Sequence, residues 1–320
     1  MQQSQIWCWR QNIVLRVSVL WWLLLLGGCA TNPFANLDEW KEIQSKNFIV
    51  YTNAPEIVAL DVAKEFEVFR AIALKIITIS SLEETNPVRV YLFKNKNSFA
   101  PFRPTENTAG YFISGENYIA LYAIPFEHNP QFPIVYHEYI HYLTSKHPAI
   151  IPRWYDEGLA TMFETFQVDR DLVTFGRAQH HRWSFLKYQA SWIPMNEFLS
   201  GQTSFHHNKG FTHAHSQAWA LMHYFFYGNE ENPDKLGQYL YMVNNGYEYD
   251  EALRSTFGLT PEELLQEVKN YIGKKTLPYS TMKLDDIAID HYHHIRSLEK
   301  DEAQQIIQDL LDLVDASRDA

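Results

Sequence analysis

The sequence His137-Glu138-Tyr139-Ile140-His141 is the stretch from which we predict the organisation of this chain. An apolar segment precedes it, and a proline four residues before His137 suits the first turn of a helix that lies against a core. Side chains four residues apart share a face of a helix, so His137 and His141 can both direct an imidazole nitrogen at one metal ion. Glu138 would then lie beside the open coordination position. This arrangement indicates a hydrolase with Zn²⁺ as its cofactor.

A second helix, predicted for residues 153–166, supplies the candidates for a third metal ligand. Glu157 is the predicted ligand, and Asp156 and Glu164 are the alternatives. Two small residues follow Glu157, namely Gly158 and Ala160. We expect them to let this helix approach the first helix closely enough for Glu157 to reach the ion. Asp156 is also the nearest candidate for a carboxylate that accepts a hydrogen bond from a metal-bound histidine.

The N-terminal segment has the features of an export signal. Two arginines precede the apolar run 17–26, which is too short for a comfortable permanent membrane span, and small residues follow it. We therefore expect residues 1–28 to be a secretory signal peptide. The four residues Leu-Gly-Gly-Cys that end at Cys29 resemble the lipobox of bacterial lipoproteins, which implies that Cys29 is acylated. Ala30 resembles the outer-membrane sorting pattern, so the predicted location is the outer membrane, facing the periplasm.

Charge and cysteine content limit the partners and the kind of metal site. The formal net charge of the 320 residues is −11, and removal of residues 1–28, which hold two arginines and no acid, makes it −13. Such a charge argues against nucleic acid as a partner and against electrostatic binding to anionic lipid. Membrane affinity would have to come from the lipid anchor. Cys8 leaves with the signal and Cys29 carries lipid, so a metal site must use histidine and carboxylate.

The chain before and after the histidine motif predicts the fold class. The predicted strands are residues 48–52, 88–93, and the two strands of a hairpin, 110–113 and 118–122, with a long helix after Pro55. We predict an α+β fold, in which a small mixed sheet with a hairpin edge strand is followed by a mainly helical, zincin-like region. The predicted parts are a lipid-anchored tether 29–39, an α/β part 40–130, a helical zinc-site part 131–275 and an acidic helical C-terminal tail 276–320.

The remaining helices and histidines are expected to serve packing rather than chemistry. His180 and His181 are predicted to be surface or packing residues, because adjacent residues of a helix point in different directions. Residues 201–209 are rich in turn formers and are predicted to form a mobile loop that carries two histidines. Three short amphipathic helices are predicted within residues 234–272, and a packing or partner helix near residues 301–314.

The two motifs together resemble a known family. Residues 154–160 read Trp-Tyr-Asp-Glu-Gly-Leu-Ala, and with the H-E-x-x-H motif they resemble the gluzincin metallopeptidases of the thermolysin clan, most closely the bacterial peptidase-MA-like proteins. The resemblance covers about residues 40–272. It implies that His137, His141 and Glu157 bind zinc and that Glu138 is the general base and proton shuttle in peptide-bond hydrolysis. It further implies that the hairpin edge strand borders the cleft and pairs with an extended peptide, although an ordinary structural hairpin is equally compatible with the sequence.

The resemblance is incomplete at the group that stabilises the oxyanion. In this family a tyrosine tends to precede a Q-A-W-like segment, and His215 fills that position here, at the start of an apolar helix expected to close one wall of the cleft. An imidazole can also donate a hydrogen bond, so His215 is the catalytic candidate. His213 and Tyr224 are alternatives for this donor, and a purely structural role of His215 is a further alternative.

Three functions are compatible with these residues. The first is a zinc metallopeptidase of the periplasm, acting on a peptide or protein substrate. The second is a non-catalytic binding or scaffold lipoprotein of the cell envelope that retains zinc for structure, and the third is a zinc hydrolase of another amide such as cell-wall peptide. Glu138 favours an enzyme, because a structural zinc site needs no base beside an open position. The oligomeric state is not predicted.

Overall fold

The computed structural model describes residues 32–77, 87–103, 108–113, 118–122, 132–188, 191–205, 213–289 and 294–318. The predicted signal peptide, the lipidation candidate Cys29, the hairpin turn 114–117 and the loop histidines His206 and His207 lie outside these residues. Within the described ranges, no helix combines the length and the apolar composition needed to cross a membrane.

The strands of the described residues form two sheets. The strands are β1 (Lys41–Gln44), β2 (Phe48–Thr52), β3 (Val88–Phe93), β4 (Gly110–Ile113), β5 (Tyr118–Tyr122), β6 (Gln167–Asp169), β7 (Leu172–Phe175), β8 (Ser280–Lys283) and β9 (His294–Ser297). The larger sheet has the order β4-β5-β3-β2-β1-β9, in which β2, β3 and β5 are parallel and the other pairings are antiparallel. The smaller sheet is antiparallel with the order β6-β7-β8. The predicted mixed sheet with β4 as an edge strand is confirmed.

Helices make up most of the chain after the hairpin, which confirms the predicted α+β class. They are α1 (Glu56–Ile77), α2 (Lys96–Phe99), α3 (Pro133–Ser145), α4 (Arg153–Phe163), α5 (His180–Tyr188), α6 (Met195–Leu199), α7 (His213–Tyr227), α8 (Asn232–Asn244), α9 (Tyr249–Phe257), α10 (Pro261–Ile272) and α11 (Lys300–Arg318). Pro133 occupies the first turn of α3, as its fixed φ favours. The helices α8 to α10 are the three predicted short helices, and Thr260 and Glu263 form a capping box at the start of α10.

Aromatic side chains join α1 and α3 to one face of the larger sheet. Phe48 of β2 lies 5.5 Å from Phe66 of α1 and 5.8 Å from Tyr139 of α3, measured between ring centroids. Phe69 of α1 stacks on Tyr136 of α3 with 4.7 Å between centroids. All five rings are buried, and such pairs add about 0.5–1.5 kcal/mol each beyond area burial. The helix that carries the histidine motif is therefore held on the sheet by a buried aromatic cluster.

The C-terminal segment covers the opposite face of the same sheet. Four apolar residues of α11 recur every three or four positions and are fully buried, namely Ala303, Ile307, Leu310 and Val314. They belong to one buried cluster with Trp40 and with Tyr91 of β3. β8 pairs with β7, and β9 pairs with β1. The sequence predicts the packing helix in residues 276–320 but not these two strands, which make the segment an integral part of both sheets.

The helices α4 and α7 approach each other closely through a glycine. A Cβ atom added at Gly158 of α4 would lie 2.5 Å from the carbonyl oxygen of Ala218 in α7, a distance that real Cβ atoms do not adopt. We expected Gly158 to permit the approach of α4 to the histidine helix α3. That expectation is wrong for Gly158, because this residue faces α7.

We expect Gly158→Ala to lower the free energy of unfolding by about 1–3 kcal/mol, because a methyl group at this contact must displace the backbone of α7. The matched control is Gly237→Ala in α8, where an added Cβ meets no atom within 4 Å. There the higher helix propensity of alanine is expected to stabilise the protein by roughly 0.5–1 kcal/mol. Urea unfolding of both variants measures the effects, and equal effects at the two positions would contradict the close approach of α4 and α7.

One ionisable contact links α1 to the histidine helix. Tyr136 of α3 donates a hydrogen bond to the half-buried carboxyl group of Glu65 in α1. Burial raises the pKa of Glu65 to about 7, although the hydrogen bond from Tyr136 acts in the opposite direction. Glu65 therefore changes its charge near neutral pH.

We expect Glu65→Gln to stabilise the protein above pH 7 and to have little effect near pH 4.5. Folded Glu65 keeps its proton up to about pH 7, whereas in the unfolded chain it ionises near its ordinary value of 4.5. The unfolding free energy of the wild type therefore decreases as the pH rises from 4.5 to 7, by about 3 kcal/mol, and the amide removes this decrease. Urea unfolding of the wild type and of Glu65→Gln at about pH 5 and about pH 8 measures this change in the unfolding free energy. A difference between the proteins that does not change with pH would show that Glu65 is not the titrating group.

Candidate metal centre

Helix α3 brings two imidazole rings together on one face. His137 and His141 are four residues apart, and their Nε2 atoms are 3.1 Å from each other. His137 is buried and His141 is half-buried, with 22% of its side chain exposed. One side of the pair is thus closed by the core and the other is open to solvent. This is the arrangement that the H-E-x-x-H spacing predicts.

Helix α4 adds a carboxylate oxygen to the two nitrogens. Oε2 of Glu157 lies 3.5 Å from Nε2 of His137 and 3.6 Å from Nε2 of His141. Ligand atoms about 2.0–2.1 Å from a tetrahedral zinc ion are about 3.4 Å from each other. The three separations observed here have that size, so His137, His141 and Glu157 form a group that could hold a metal ion.

The other ring nitrogens of both histidines contact carboxylates. Nδ1 of His137 is 2.8 Å from Oε1 of Glu164, and Nδ1 of His141 is 2.8 Å from Oδ2 of Asp156. A neutral imidazole that donates its Nδ1 proton to a carboxylate has a bare lone pair at Nε2, which is the form that binds a metal. The two alternatives that we considered for the third ligand therefore lie behind the histidines, and Glu157 alone of the three acidic residues faces both Nε2 atoms.

The carboxylates of the group favour positive charge on the histidines. Burial disfavours a charged imidazole, but the contacts with Asp156 and Glu157 outweigh it and raise the pKa of His141 to about 10. Burial also disfavours the ionised form of Glu157, but its contacts with His137, His141 and His215 hold its pKa far below the ordinary value. Without a metal ion the site thus retains protons, and a divalent cation would replace them.

The carboxylate behind His137 is itself fixed by a buried network. Nη2 of Arg182 lies 3.0 Å from both oxygens of Glu164, and Nε2 of Gln179 donates to Oε2 of Glu164 at 2.7 Å. Arg182 also donates from Nε to Gln179 at 2.6 Å, and its side chain is only 3% exposed. On the other side of the site, Thr144 donates to Asp156 at 2.6 Å. Sequence reasoning missed Arg182 and Gln179, because no local pattern connects them with residues on α3 and α4.

Helix α7 adds His215 next to the third ligand. Nε2 of His215 is 3.1 Å from Oε2 of Glu157, and the side chain is buried. His215 lies outside the three-residue group whose ligand atoms are all mutually close. Gln217, two residues later, exchanges hydrogen bonds of 2.8 and 2.9 Å with the backbone of Ile193 and so fixes the start of α7.

The two alternatives to His215 are directed elsewhere. The ring of His213 packs against Phe185 with 5.6 Å between centroids. Tyr224 follows His215 by nine residues, which is roughly 13 Å along a helix, and its ring packs on Tyr271 at 5.7 Å. Of the three candidates on α7, His215 is the one that the structure brings into contact with the predicted metal ligands.

Glu138 differs from the other acidic residues of the site. It lies on α3 directly after His137, is half-buried, and has no hydrogen bond or ion pair with any described residue. Its carboxylate is thus available to a water molecule or a substrate. Outside the site, His180 and His181 are exposed, in agreement with their predicted role as surface residues.

Comparison with known proteins gives one family match. Residues 134–242 match the model of DUF1570, described as a protein of unknown function. The match covers about a third of the chain and includes all three candidate metal ligands, Glu138 and His215. No peptidase family model matches, so the resemblance to gluzincins remains a prediction. A search of curated protein sequences finds no match to the chain.

We expect Glu164→Gln to weaken metal binding about 10–100-fold without abolishing it, because the amide accepts the His137 proton less strongly than a carboxylate does. The matched control is Glu262→Gln, which changes an exposed residue of α10. Titration of the metal-free proteins with zinc in competition with a chelating dye measures both affinities. An affinity of Glu164→Gln within about twofold of the control would show that Glu164 does not orient His137.

Proposed function

We propose that this protein is a zinc-dependent metallopeptidase that hydrolyses peptide bonds of a peptide or protein substrate. The observation that carries the proposal is the combination of three mutually close ligand atoms with the carboxylate of Glu138, the residue that follows the first ligand, which has no partner among the described residues. A site that served only structure would be closed by a fourth protein ligand and would not need this carboxylate. The resemblance of both motifs to gluzincins supports the same function.

The proposed roles of the residues follow from their positions. A zinc ion held by His137, His141 and Glu157 would supply a Lewis acid that polarises the substrate carbonyl and lowers the pKa of a bound water to about 7. Glu138 accepts the proton of the attacking water on its carboxylate and later returns it to the nitrogen of the leaving amine. Asp156 and Glu164 hold the two histidines in the orientation that exposes Nε2.

We assign His215 as the donor that stabilises the oxyanion. Its ring is buried beside Glu157, and it is stacked edge-on against the ring of Phe205 with 5.5 Å between centroids. With a metal ion bound at Oε2 of Glu157, the N–H of His215 would be directed instead at the carbonyl oxygen, where it would stabilise the negative charge that develops. The contact with Glu157 keeps the ring next to the ligand group, which is where that oxygen would lie.

The substrate is proposed to bind along the edge strand β4. In the larger sheet β4 pairs only with β5 among the described strands. It lies beside the histidine helix, since a Cβ atom added at Gly110 would be 3.1 Å from the side chain of Val135 in α3. An extended peptide that pairs with β4 would therefore pass next to the metal ligands. We further propose, from the N-terminal sequence, that the protein is exported and anchored by lipid at Cys29, with the site in the periplasm.

The test compares protein that begins after Cys29 with its Glu138→Gln and His141→Ala variants. We expect one equivalent of zinc in the wild type and in Glu138→Gln, and loss of zinc in His141→Ala. Peptide cleavage should be detectable in the wild type and should decrease by about 10²–10⁴ in Glu138→Gln. Zinc content is measured by elemental analysis, and cleavage by mass spectrometry of a mixed peptide library.

A matched control for the histidine substitution is His294→Ala, which changes an exposed residue of β9 on the far edge of the sheet. It should retain both zinc and cleavage. Zinc without cleavage in the wild type would favour a non-catalytic zinc-containing lipoprotein of the cell envelope. Cleavage of cell-wall peptide alone would favour a hydrolase of that amide, and a wild type without zinc would contradict every zinc-dependent function.

A further inference from the structure

The third metal ligand has a second partner that the metal chemistry does not require. Arg153, the first residue of α4, places Nη2 2.6 Å from Oε1 of Glu157. Oε1 is the oxygen of Glu157 that faces away from the two histidines, whose Nε2 atoms contact Oε2. A single carboxylate group therefore separates the guanidinium group of Arg153 from the metal position.

The two arginines of the site differ in exposure. Arg182 is 3% exposed and contacts both oxygens of Glu164 and the side chain of Gln179. Arg153 is 61% exposed, although the carboxylate that it contacts is only 2% exposed. Arg182 has the geometry of a buried group that neutralises and orients its partner. Arg153 stands at the boundary between the buried ligands and the solvent.

The donors of Arg153 are only partly used by the protein. A guanidinium group carries five N–H donors in a planar fork that matches a carboxylate. One ion pair, with Glu157, is formed with the described residues. The group lies 5.9 Å from the centroid of Phe205, whose buried ring also packs against His215. The aromatic ring thus supports the guanidinium group from one side, and N–H donors of Arg153 that no described residue uses could bind a ligand.

The surrounding charges make a carboxylate the group that this position would select. Two acidic side chains near the ligands, Glu138 and Asp156, have no arginine partner among the described residues, whereas Glu164 is paired with Arg182; the net charge of the chain is −11. An anionic substrate is repelled by this surface except where Arg153 and the metal position lie side by side. Consecutive residues of a peptide are about 3.8 Å apart, so a carboxylate bound at Arg153 would lie within one or two residues of the cleaved bond.

We propose, on the basis of the proposed peptidase function, that Arg153 binds a carboxylate of the substrate next to the scissile bond. The carboxylate comes either from the free C-terminus of a peptide or from an acidic side chain. Arg153 is then a specificity-determining residue, because it binds the substrate without taking part in the proton transfers of Glu138.

The test uses four small peptides with the full-length, zinc-containing protein. The first pair is acetyl-alanyl-leucine as the free acid and as the C-terminal amide. The second pair is the C-terminal amide of acetyl-alanyl-aspartic acid, whose side-chain carboxylate is free, and the C-terminal amide of acetyl-alanyl-asparagine. We expect one acidic peptide to have a KM at least about tenfold below that of its neutral counterpart. A difference in the first pair identifies the chain terminus as the source of the carboxylate, and a difference in the second pair identifies the side chain. Equal KM values within both pairs would overturn the proposal.

The role of Arg153 itself is tested with Arg153→Gln and Arg153→Lys. We expect Arg153→Gln to lose the preference for the acidic peptide through KM, with one equivalent of zinc retained. Arg153→Lys keeps the positive charge but loses the planar, forked set of N–H donors, so it should retain part of the preference for the acidic peptide. A preference that persists unchanged in Arg153→Gln would overturn the assignment to this residue. If Arg153→Gln fails to retain zinc, the assignment to Arg153 is tested by comparing the preference for the acidic peptide in the wild type with that in Arg153→Lys.

Binding to the Glu138→Gln protein separates this proposal from the proposed peptidase function. Calorimetric titration of the four peptides into that variant measures affinity without turnover. If the acidic member of a pair binds more tightly but the wild type cleaves no peptide, the peptidase function is contradicted and the binding of a carboxylate by Arg153 is supported. Equal affinities within both pairs would overturn the binding of a carboxylate by Arg153, whether or not the wild type cleaves peptides.

Discussion

A carboxylate that is almost completely removed from water, Glu157, is the constraint on which the rest of the molecule depends. An ionised carboxylate in a protein interior loses several kcal/mol of hydration unless positive charge and hydrogen bonds replace it. Here three imidazole rings and Arg153 surround it. The imidazoles of His137 and His141 in turn contact a second row of carboxylates. Charge therefore alternates outward from Glu157, and each layer requires the next.

The charged groups can alternate in this way only if the helices that carry them pack closely together. The groups around Glu157 come from α3, α4 and α7. Arg182, which pairs with Glu164, comes from α5, so four helices must converge at the site. The close contact of Gly158 with Ala218 brings α4 and α7 together. The aromatic cluster around Phe69 holds α3 on α1 and on the sheet. The site is thus built on rigid helices, which keeps its ligand atoms at fixed separations.

The sequence predicts the parts of this arrangement that are encoded locally. The spacing of His137 and His141 predicts one helix face, and runs of β-branched and aromatic residues predict β2 and the hairpin. The choice among Asp156, Glu157 and Glu164 has a different origin. Which of them faces α3 depends on the rotation of α4 about its axis, and a contact with Ala218, about sixty residues later, fixes that rotation. The role of Arg182 and the pairing of β9 with β1 depend in the same way on contacts between distant segments, which periodicity does not record.

The position of the N-terminus bears on how the proposed lipid anchor and the metal centre are related. Phe34 and Leu37 pack with α11, on the face of the larger sheet opposite to the one that carries α1 and α3. The first described residues therefore lie on the side of the larger sheet away from the metal centre. The lipid anchor proposed at Cys29 would precede them by three residues in sequence.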